Sequence, residues 1–498
     1  MATFAAVDLG ASSGRVIVGS VADKKIECRE ITRFTNGPTR VPEGNGASLY
    51  WDIYRIWNHV LKGLNDLKVE SIESVGVDSW AVDYGLVSAS RKLLGAPYSY
   101  RDSRTAGIPD KWFKEFPPQE FYERNGLQVL DFNTIFQLIA ATKTPGDRDA
   151  LTSAEHILLL PDLLNYWLSG ENYSEITNSS STGLINPETR RWSQQLLESF
   201  AQSTGVDIRS KLAPLIEAGE RVGEIRSDVV PLTKKNGAPT SLIAVGSHDT
   251  ASAVAAVPAS NERFAYISCG TWSLVGLELE KPVLSEESRL ANFTNELGVD
   301  GTVRYLHNIM GMWVLNGCVA KWREQDPNLT FEEIDRAAAD APALRTVVDI
   351  NDPIFSSPGN MVARIDELAD RTGQPRPRSI GEYVRCINES LALAHARAVR
   401  EACSLADKSV DVIHMVGGGT KNRLLCQLTA DACGLPVKVG PVEATSLGNL
   451  LVQARAQGAI PDSLGAMREV VRNSIRLETL NPAGNDSAWR EAESRIFN

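Results

Sequence analysis

An apolar run that breaks at a Gly/Ser-rich turn and then resumes occurs twice in this chain, about half its length apart. The first copy is residues 3–8, ending in Asp8, then Gly10-Ala11-Ser12-Ser13-Gly14, then Val16-Ile17-Val18. The second is residues 265–275, where Gly270 falls as Gly10 does, and Thr271 and Ser273 match Ala11 and Ser13. Each copy reads as two strands joined by a tight turn, not as a strand feeding a helix. Two further apolar strands echo each other, Ser74–Ser79 in the first half and Val412–Val416, leading into Gly417-Gly418-Gly419, in the second. With helical stretches such as 193–203 and 390–406, the pattern predicts a duplicated α/β domain with a phosphate-facing hairpin in each copy. A chain of 498 residues exceeds one hydrophobic core, so two domains are expected. The segment 231–241, rich in Pro, Lys, Asn and Gly, is the expected junction, giving domains 1–240 and 241–498. Loops are expected at 35–48, 144–148, 355–360 and 374–379, where Pro, Gly, Ser and Asn gather.

A net charge of -11 argues against a nucleic-acid or anionic-membrane partner, since both call for a basic face. No apolar stretch approaches the ~20 residues that span a bilayer. The first residues run into a strand without a basic leader, and a cytoplasmic location is expected. The seven cysteines are scattered, with no CxxC pair and no metal-ligand spacing with His, and read as reduced, mostly buried thiols.

Three constellations carry chemistry. In Asp8-Leu9-Gly10-Ala11-Ser12-Ser13-Gly14-Arg15, glycines let the backbone approach a phosphate, hydroxyls and turn N–H groups donate to it, and Arg15 adds a positive fork. Asp8 then suits Mg²⁺ held through water; a plain hairpin turn uses the same residue types. In Gly246-Ser247-His248-Asp249-Thr250, an apolar strand meets a small-residue helix, and Asp249 reads either as a helix cap or as the base that deprotonates a sugar hydroxyl. Gly417-Gly418-Gly419 before Leu424 reads as a tight turn or as a helix start facing a nucleotide. No GxxxxGK[ST] occurs, which excludes a P-loop. Trp80, Asp83, Tyr100 to Arg104 and Asn133 supply the aromatic faces and polar edges that a sugar needs, and His414 reads as a core histidine.

VDLGASSGR (7–15), GVDSWAVDYGL (76–86), YRDSRT (100–105), SHDTASAV (247–254), SCGTWSL (268–274), HNIMGMW (307–313), VGGGTKN (416–422) and GPVEATSLGN (440–449) follow one another in the order found in a known family. By these stretches the chain resembles the FGGY carbohydrate kinases, and within them the rhamnulokinase subfamily. The resemblance implies an α/β protein of two actin-like (ribonuclease-H-like) domains with an interdomain cleft. It further implies ATP with Mg²⁺, and phosphoryl transfer to the 1-hydroxyl of the ketose L-rhamnulose. Matched by position, Ala11, Ser12, Ser13, Gly14 and Arg15 fall on the ATP phosphates, and Thr271, Asn316, Gly418 and Gly419 on the nucleotide. Asp249 becomes the base, with His248, Thr250 and Asn308 around the sugar. ATP is then expected mainly on the C-terminal domain and the ketose mainly on the N-terminal one, with closure about residues 240–250. One departure is Ala81, beside the ketose, where the family usually has glycine. It keeps a kinase for L-fuculose or xylulose as an alternative. A non-catalytic actin-like ATP-binding module is the alternative from another class, although a pure switch would not require the His248-Asp249 pair.

Overall fold

The structure, a computed structural model, describes residues 2–44 and 46–497. The chain divides into two units. The first comprises Met1–Ser260, Glu278–Tyr305 and Ala444–Ile475, and the second Asn261–Leu277, Leu306–Glu443 and Arg476–Asn498.

In the first unit, β1 (Ala2–Leu9) and β2 (Ser13–Ala22) form the hairpin read from the sequence, and β3 (Lys25–Thr35) extends it antiparallel. Residues 35–48, expected as a loop, instead hold β4 (Pro38–Glu43), which pairs antiparallel with β5 (Gly46–Trp51). The difference has a physical basis: β4 is exposed along its whole length, so it lacks the alternation that marks a half-buried strand. Likewise Pro145 opens a helix, Pro145–Ser153, where a loop was expected. Helix α1 (Ile53–Asn65) is capped by Asp52 and buries Ile53, Ile56, Val60 and Leu64, one face at helical spacing. It leads to β6 (Ser74–Ser79), which lies parallel to β1 with Asp78 opposite Asp8. Then β7 (Arg221–Glu224) and β8 (Ser241–Ile243) complete a sheet in the order β7-β8-β6-β1-β2-β3. Because β8 pairs with β6, the chain does not divide at 240/241 as expected, and residues 240–250 lie inside the first unit. The turn-rich segment 231–241 connects two strands of one sheet. Helix α2 (Asp249–Ala255) follows β8.

The second unit repeats the plan. Strands β9 (Phe264–Cys269) and β10 (Trp272–Leu279) form the second hairpin, followed by β11 (Val303–Met310), β12 (Val412–Val416), β13 (Val437–Val439) and β14 (Glu478–Leu480); the last two residues of β10 and the first three of β11, Arg304 among them, belong to the first unit. Their order is β11-β10-β9-β12-β13-β14, with β12 parallel to β9, β13 parallel to β12 and β14 antiparallel at the edge. Read in reverse, these six repeat the first unit's order, and a seventh strand, Thr294–Leu297, is added at the edge beside β11. Helices α3 (Trp313–Arg323), α4 (Ile380–Leu405) and α5 (Arg423–Cys433) belong here, and Ala392, Leu393 and Leu428 share a cluster with Trp489. His414 is buried in β12, as expected of a core histidine, and none of the seven cysteines, all among the described residues, is in a disulfide.

The chain returns to the first unit as α6 (Ala444–Ala456) and α7 (Leu464–Ser474). Leu447, Leu450 and Leu451 pack with Phe4, Ala6, Ile17 and Val21, so segments more than four hundred residues apart build one core. Among the described residues, no helix is long and apolar enough to cross a membrane.

Candidate active site

Parallel pairing of β1 with β6 sets the Asp8 and Asp78 carboxylates side by side at one end of the first sheet. Both are buried. Asp8 Oδ2 accepts from Arg15 Nε at 3.0 Å and Nη2 at 2.8 Å, and also from Ser446 Oγ. Thus Arg15, read from sequence as a fork for phosphate, has two of its nitrogens on Asp8. Asp78 Oδ2 accepts from Asn449 Nδ2 at 2.6 Å, while its Oδ1 has no hydrogen-bond partner in the structure. Burial, then Asp8, push the Asp78 carboxyl well above the ordinary range, although Asn449 opposes the rise.

Helix α6 supplies this polar floor from one face. Ser446, Asn449 and Gln453 recur at spacings of three and four. Gln453 Nε2 donates to Asn449 Oδ1 at 2.6 Å and to Ala5 O at 2.9 Å, and Ser74 Oγ donates to Gln453 Oε1 at 2.8 Å. The helix can lie this close because of Gly448: a Cβ there would sit 1.8 Å from Ser252 O of α2.

Asp249 is the first residue of α2. The N-cap is His248, whose side chain makes no capping bond, so the reading of Asp249 as a cap is set aside. Its side chain stays about a third open, at 32% exposure. Desolvation and the Asp8 charge raise its carboxyl, against His248. His248 Nε2 lies 3.4 Å from Asp249 Oδ1, and Thr250 Oγ1 donates to that oxygen at 3.2 Å. The turn that carries this pair is braced by the buried Glu175. Its Oε2 accepts from Ser247 N at 3.0 Å and Ser247 Oγ at 2.8 Å, and Ser79 N donates to Ser247 O at 2.9 Å.

Beyond β6, Asp83 N donates to Ala81 O at 2.9 Å, which closes a three-residue turn on Val82 at φ +66°. A β-branched residue there costs on the order of 1–3 kcal/mol and persists only where its surroundings fix it. Here Thr134 Oγ1 donates to Val82 O at 2.7 Å. Asp83 Oδ2 accepts from Trp51 Nε1 at 2.6 Å, Trp80 Nε1 at 3.0 Å and Tyr100 N at 3.1 Å, and Oδ1 accepts from Gln137 Nε2 at 2.9 Å. Fully buried and held by four donors, Asp83 anchors the aromatic wall, in place of the direct sugar contact expected of it. Burial still pushes its carboxyl up to about 6. Asp102 and Arg104 also serve structure: Asp102 accepts from Leu49 N and Arg104 N, and the Arg104 guanidinium stacks 3.7 Å over Tyr98. Ala81 keeps part of its surface open beside this wall, and Asn133 accepts from Leu130 N at 2.9 Å.

In the second unit, Thr271 sits in the turn between β9 and β10, Asn308 on β11, and Asn316 exposed in the first turn of α3. Gly417, at φ +88°, packs on Cys269, whereas Gly418 is exposed with open space at its Cβ position and Gly419 is buried. The three glycines lead into a short 3₁₀ turn, Gly418–Lys421, rather than directly into a helix. Helix α5 begins later, capped by Asn422.

Asp78, Glu175, Glu296, Arg304, Ser446 and Asn449 were not singled out from sequence. Asp78, Ser446 and Asn449 do lie in the quoted stretches GVDSWAVDYGL and GPVEATSLGN. Nothing local marks Glu175, Glu296 or Arg304, which reach the site by tertiary pairing.

Two family models match the chain: "FGGY family of carbohydrate kinases, N-terminal domain" over residues 3–256, and "FGGY family of carbohydrate kinases, C-terminal domain" over 265–457. A rhamnulokinase of Bacteroides thetaiotaomicron is 39% identical, over 98% of this chain and 97% of that protein. A rhamnulokinase of Bacillus subtilis is 37% identical, over 97% and 96%. Among solved structures, the ligand-bound xylulose kinase of Lactobacillus acidophilus superposes with a TM-score of 0.76 at 16% identity, over 99% of this chain and 96% of that one. The glycerol kinase of Plasmodium falciparum with ADP does so at 0.76 and 17%, over 99% and 97%.

Proposed function

The chain belongs to the FGGY family of carbohydrate kinases, and from that premise we propose that it phosphorylates the 1-hydroxyl of L-rhamnulose with ATP, giving L-rhamnulose 1-phosphate and ADP in L-rhamnose catabolism. The observation that carries the choice of sugar is identity of 37–39% to proteins named rhamnulokinase over nearly the whole chain. A cytoplasmic location accompanies this reading.

Asp249 takes the proton of the 1-hydroxyl. The hydroxyl oxygen forms the new bond to the γ-phosphorus while the bond to the β,γ-bridging oxygen breaks, and that electron pair leaves with ADP. Such a transition state asks for position and charge compensation more than for strong basicity. Desolvation by burial and the nearby Asp8 charge raise Asp249, which makes it a better proton acceptor. Ala81, His248, Thr250 and Asn308 surround the sugar, with Asp83 fixing the wall behind. Ala11, Ser12, Ser13, Gly14 and Arg15 meet the phosphates, and Thr271, Asn316, Gly418 and Gly419 the rest of the nucleotide. Ala11 to Arg15, Ala81, His248 and Thr250 belong to the first unit, and Thr271, Asn308, Asn316, Gly418 and Gly419 to the second.

Among the described residues, no group of three or more His, Cys, Asp or Glu could hold a metal alone. Mg²⁺ needs none, because it keeps waters and takes one or two carboxylates plus substrate phosphates. Asp8, through water, and Asp78, whose buried Oδ1 has no partner, fit that demand. When bound, the ion would offset charge on the phosphates.

The test is ADP release in a coupled assay with L-rhamnulose, L-fuculose, L-xylulose and D-xylulose. L-rhamnulose is expected to give the highest kcat/KM, and a higher value for another ketose would overturn the choice of sugar.

A further inference from the structure

Behind the His248-Asp249 pair lies a buried charge pair that the mechanism above does not use. Arg304, on β11, is fully buried. Its Nε donates to Leu297 O at 3.2 Å, and its Nη2 to Leu297 O and Thr177 O at 3.1 Å each. The remaining nitrogen, Nη1, lies 3.1 Å from His248 Nδ1 and 2.9 Å from Glu296 Oε2.

We propose that Arg304 fixes the tautomer of His248, so that the ring proton sits on Nε2, the nitrogen beside Asp249, which makes Arg304 a positioning residue for the base. The inference rests on Asp249 acting as that base. Its physical ground is that a guanidinium has donors only. The nitrogen it meets must supply a lone pair, so His248 Nδ1 is unprotonated. In a neutral ring the proton is then on Nε2, 3.4 Å from Asp249 Oδ1. A proton on Nδ1 would set N–H against N–H.

Glu296 Oε2 also lies 3.1 Å from His248 Nδ1, yet it makes no hydrogen bond. Its part is to balance Arg304. Burial pushes the Glu296 carboxyl up, but the Arg304 guanidinium 2.9 Å away opposes the rise, and the carboxyl stays below the ordinary range. A buried ion pair is a weak stabiliser once its desolvation is counted, so packing alone is a poor account of one placed here. Thr250 Oγ1 donates to the same Asp249 oxygen that His248 faces. The Thr250 donor and the nearby His248 ring hold Oδ1 and leave Oδ2 for the sugar hydroxyl. The charged groups around the pair are Asp8, Asp78, Glu296 and Arg304.

The test reads the tautomer directly, from ¹⁵N chemical shifts of histidine-labelled enzyme at neutral pH. The chain has six histidines, and His248 is assigned by its loss in His248→Gln. The wild type is expected to show an unprotonated Nδ1 and a protonated Nε2. In Arg304→Met, Glu296 becomes the acceptor for Nδ1, so the proton is expected to move there. With the proton on the wrong nitrogen, kcat should fall at least ~10-fold while KM for ATP and ketose stays within about threefold. Glu296→Gln should keep the wild-type tautomer. A protonated Nδ1 in the wild type overturns the proposal even if Arg304→Met fails to fold. So does full turnover in Arg304→Met after its tautomer has changed. Failure of the base assignment looks different: Asp249→Asn would retain activity while the wild-type histidine spectrum stayed as expected.

Discussion

Adding one methyl group at Gly448 should disable the enzyme without touching any group that meets a substrate. Helix α6 crosses α2 at this residue, and a Cβ built on Gly448 falls 1.8 Å from Ser252 O, 2.5 Å from its carbonyl carbon and 3.0 Å from its Cα. Carbon and oxygen approach no closer than about 3.3 Å without strain, so the helices must part by roughly 1.5 Å. The obstacle is backbone and cannot rotate away. Ser252 sits one turn after Asp249, so the shift reaches the base. A misplacement near 1 Å costs about 10² in rate, and overpacking a tight contact costs about 1–3 kcal/mol. Gly448→Ala should therefore lower kcat about 100-fold and lower Tm by several degrees. Coupled ADP release and calorimetry measure both. Gly146→Ala is the control, because its added Cβ meets nothing within 4 Å. If Gly448→Ala keeps kcat within about threefold and melts with the wild type, the argument that the α6–α2 contact sets the base is wrong.

Four other outcomes are expected. Asp249→Asn should lower kcat at least ~10²-fold while the Kd for ATP, measured by calorimetry, stays within a few-fold. Arg15→Ala removes a partner of Asp8, and should raise KM for ATP or lower kcat while the Kd for ketose without nucleotide stays put; loss of sugar binding alone would reverse the assignment. Burial raises the Asp83 carboxyl to about 6 from 3.8, so the folded state binds the proton more tightly than the unfolded one and this residue's contribution to stability falls as pH rises from about 4 through 6. The stability gap between wild type and Asp83→Asn, from urea unfolding, should thus shift between pH 7 and pH 4.5 by about 2 kcal/mol in favour of the wild type at the lower pH. Ala81→Gly should change KM for L-rhamnulose less than tenfold and leave the ranking of the four ketoses intact; a switch to L-rhamnulose only in the variant would make Ala81 a specificity determinant.

The hairpins at Gly10 and Gly270 and the strands at Ser74 and Val412 were legible because an apolar run broken by Gly and Ser is a local signal. Their shared strand order turns that echo into a repeated topology. The division of the chain was not legible. Segment 231–241 has a linker's composition, and the pairing of Leu242 with Val75 that ties β8 to the first sheet involves residues far apart in sequence. At the site, Asp8, His248 and Asp249 were found from motifs. Ser446 on Asp8 and Arg304 on His248 were not, because those partners join only once the fold forms. Asp83 was noticed for its type but assigned the wrong surroundings, since four converging donors cannot be read from a carboxylate's neighbours in sequence.

The late arrival of α6 bears on how this chain is made. Phe4, Ala6, Ile17 and Val21 leave the ribosome early, but Leu447, Leu450 and Leu451, which cover them, come more than four hundred residues later. At about 5–20 residues per second, the first sheet waits on the order of tens of seconds with one apolar face uncovered. During synthesis, then, the first unit is an unfinished object that calls for a holding chaperone, and a chain halted before Ala444 should be recovered in aggregates rather than as a folded half.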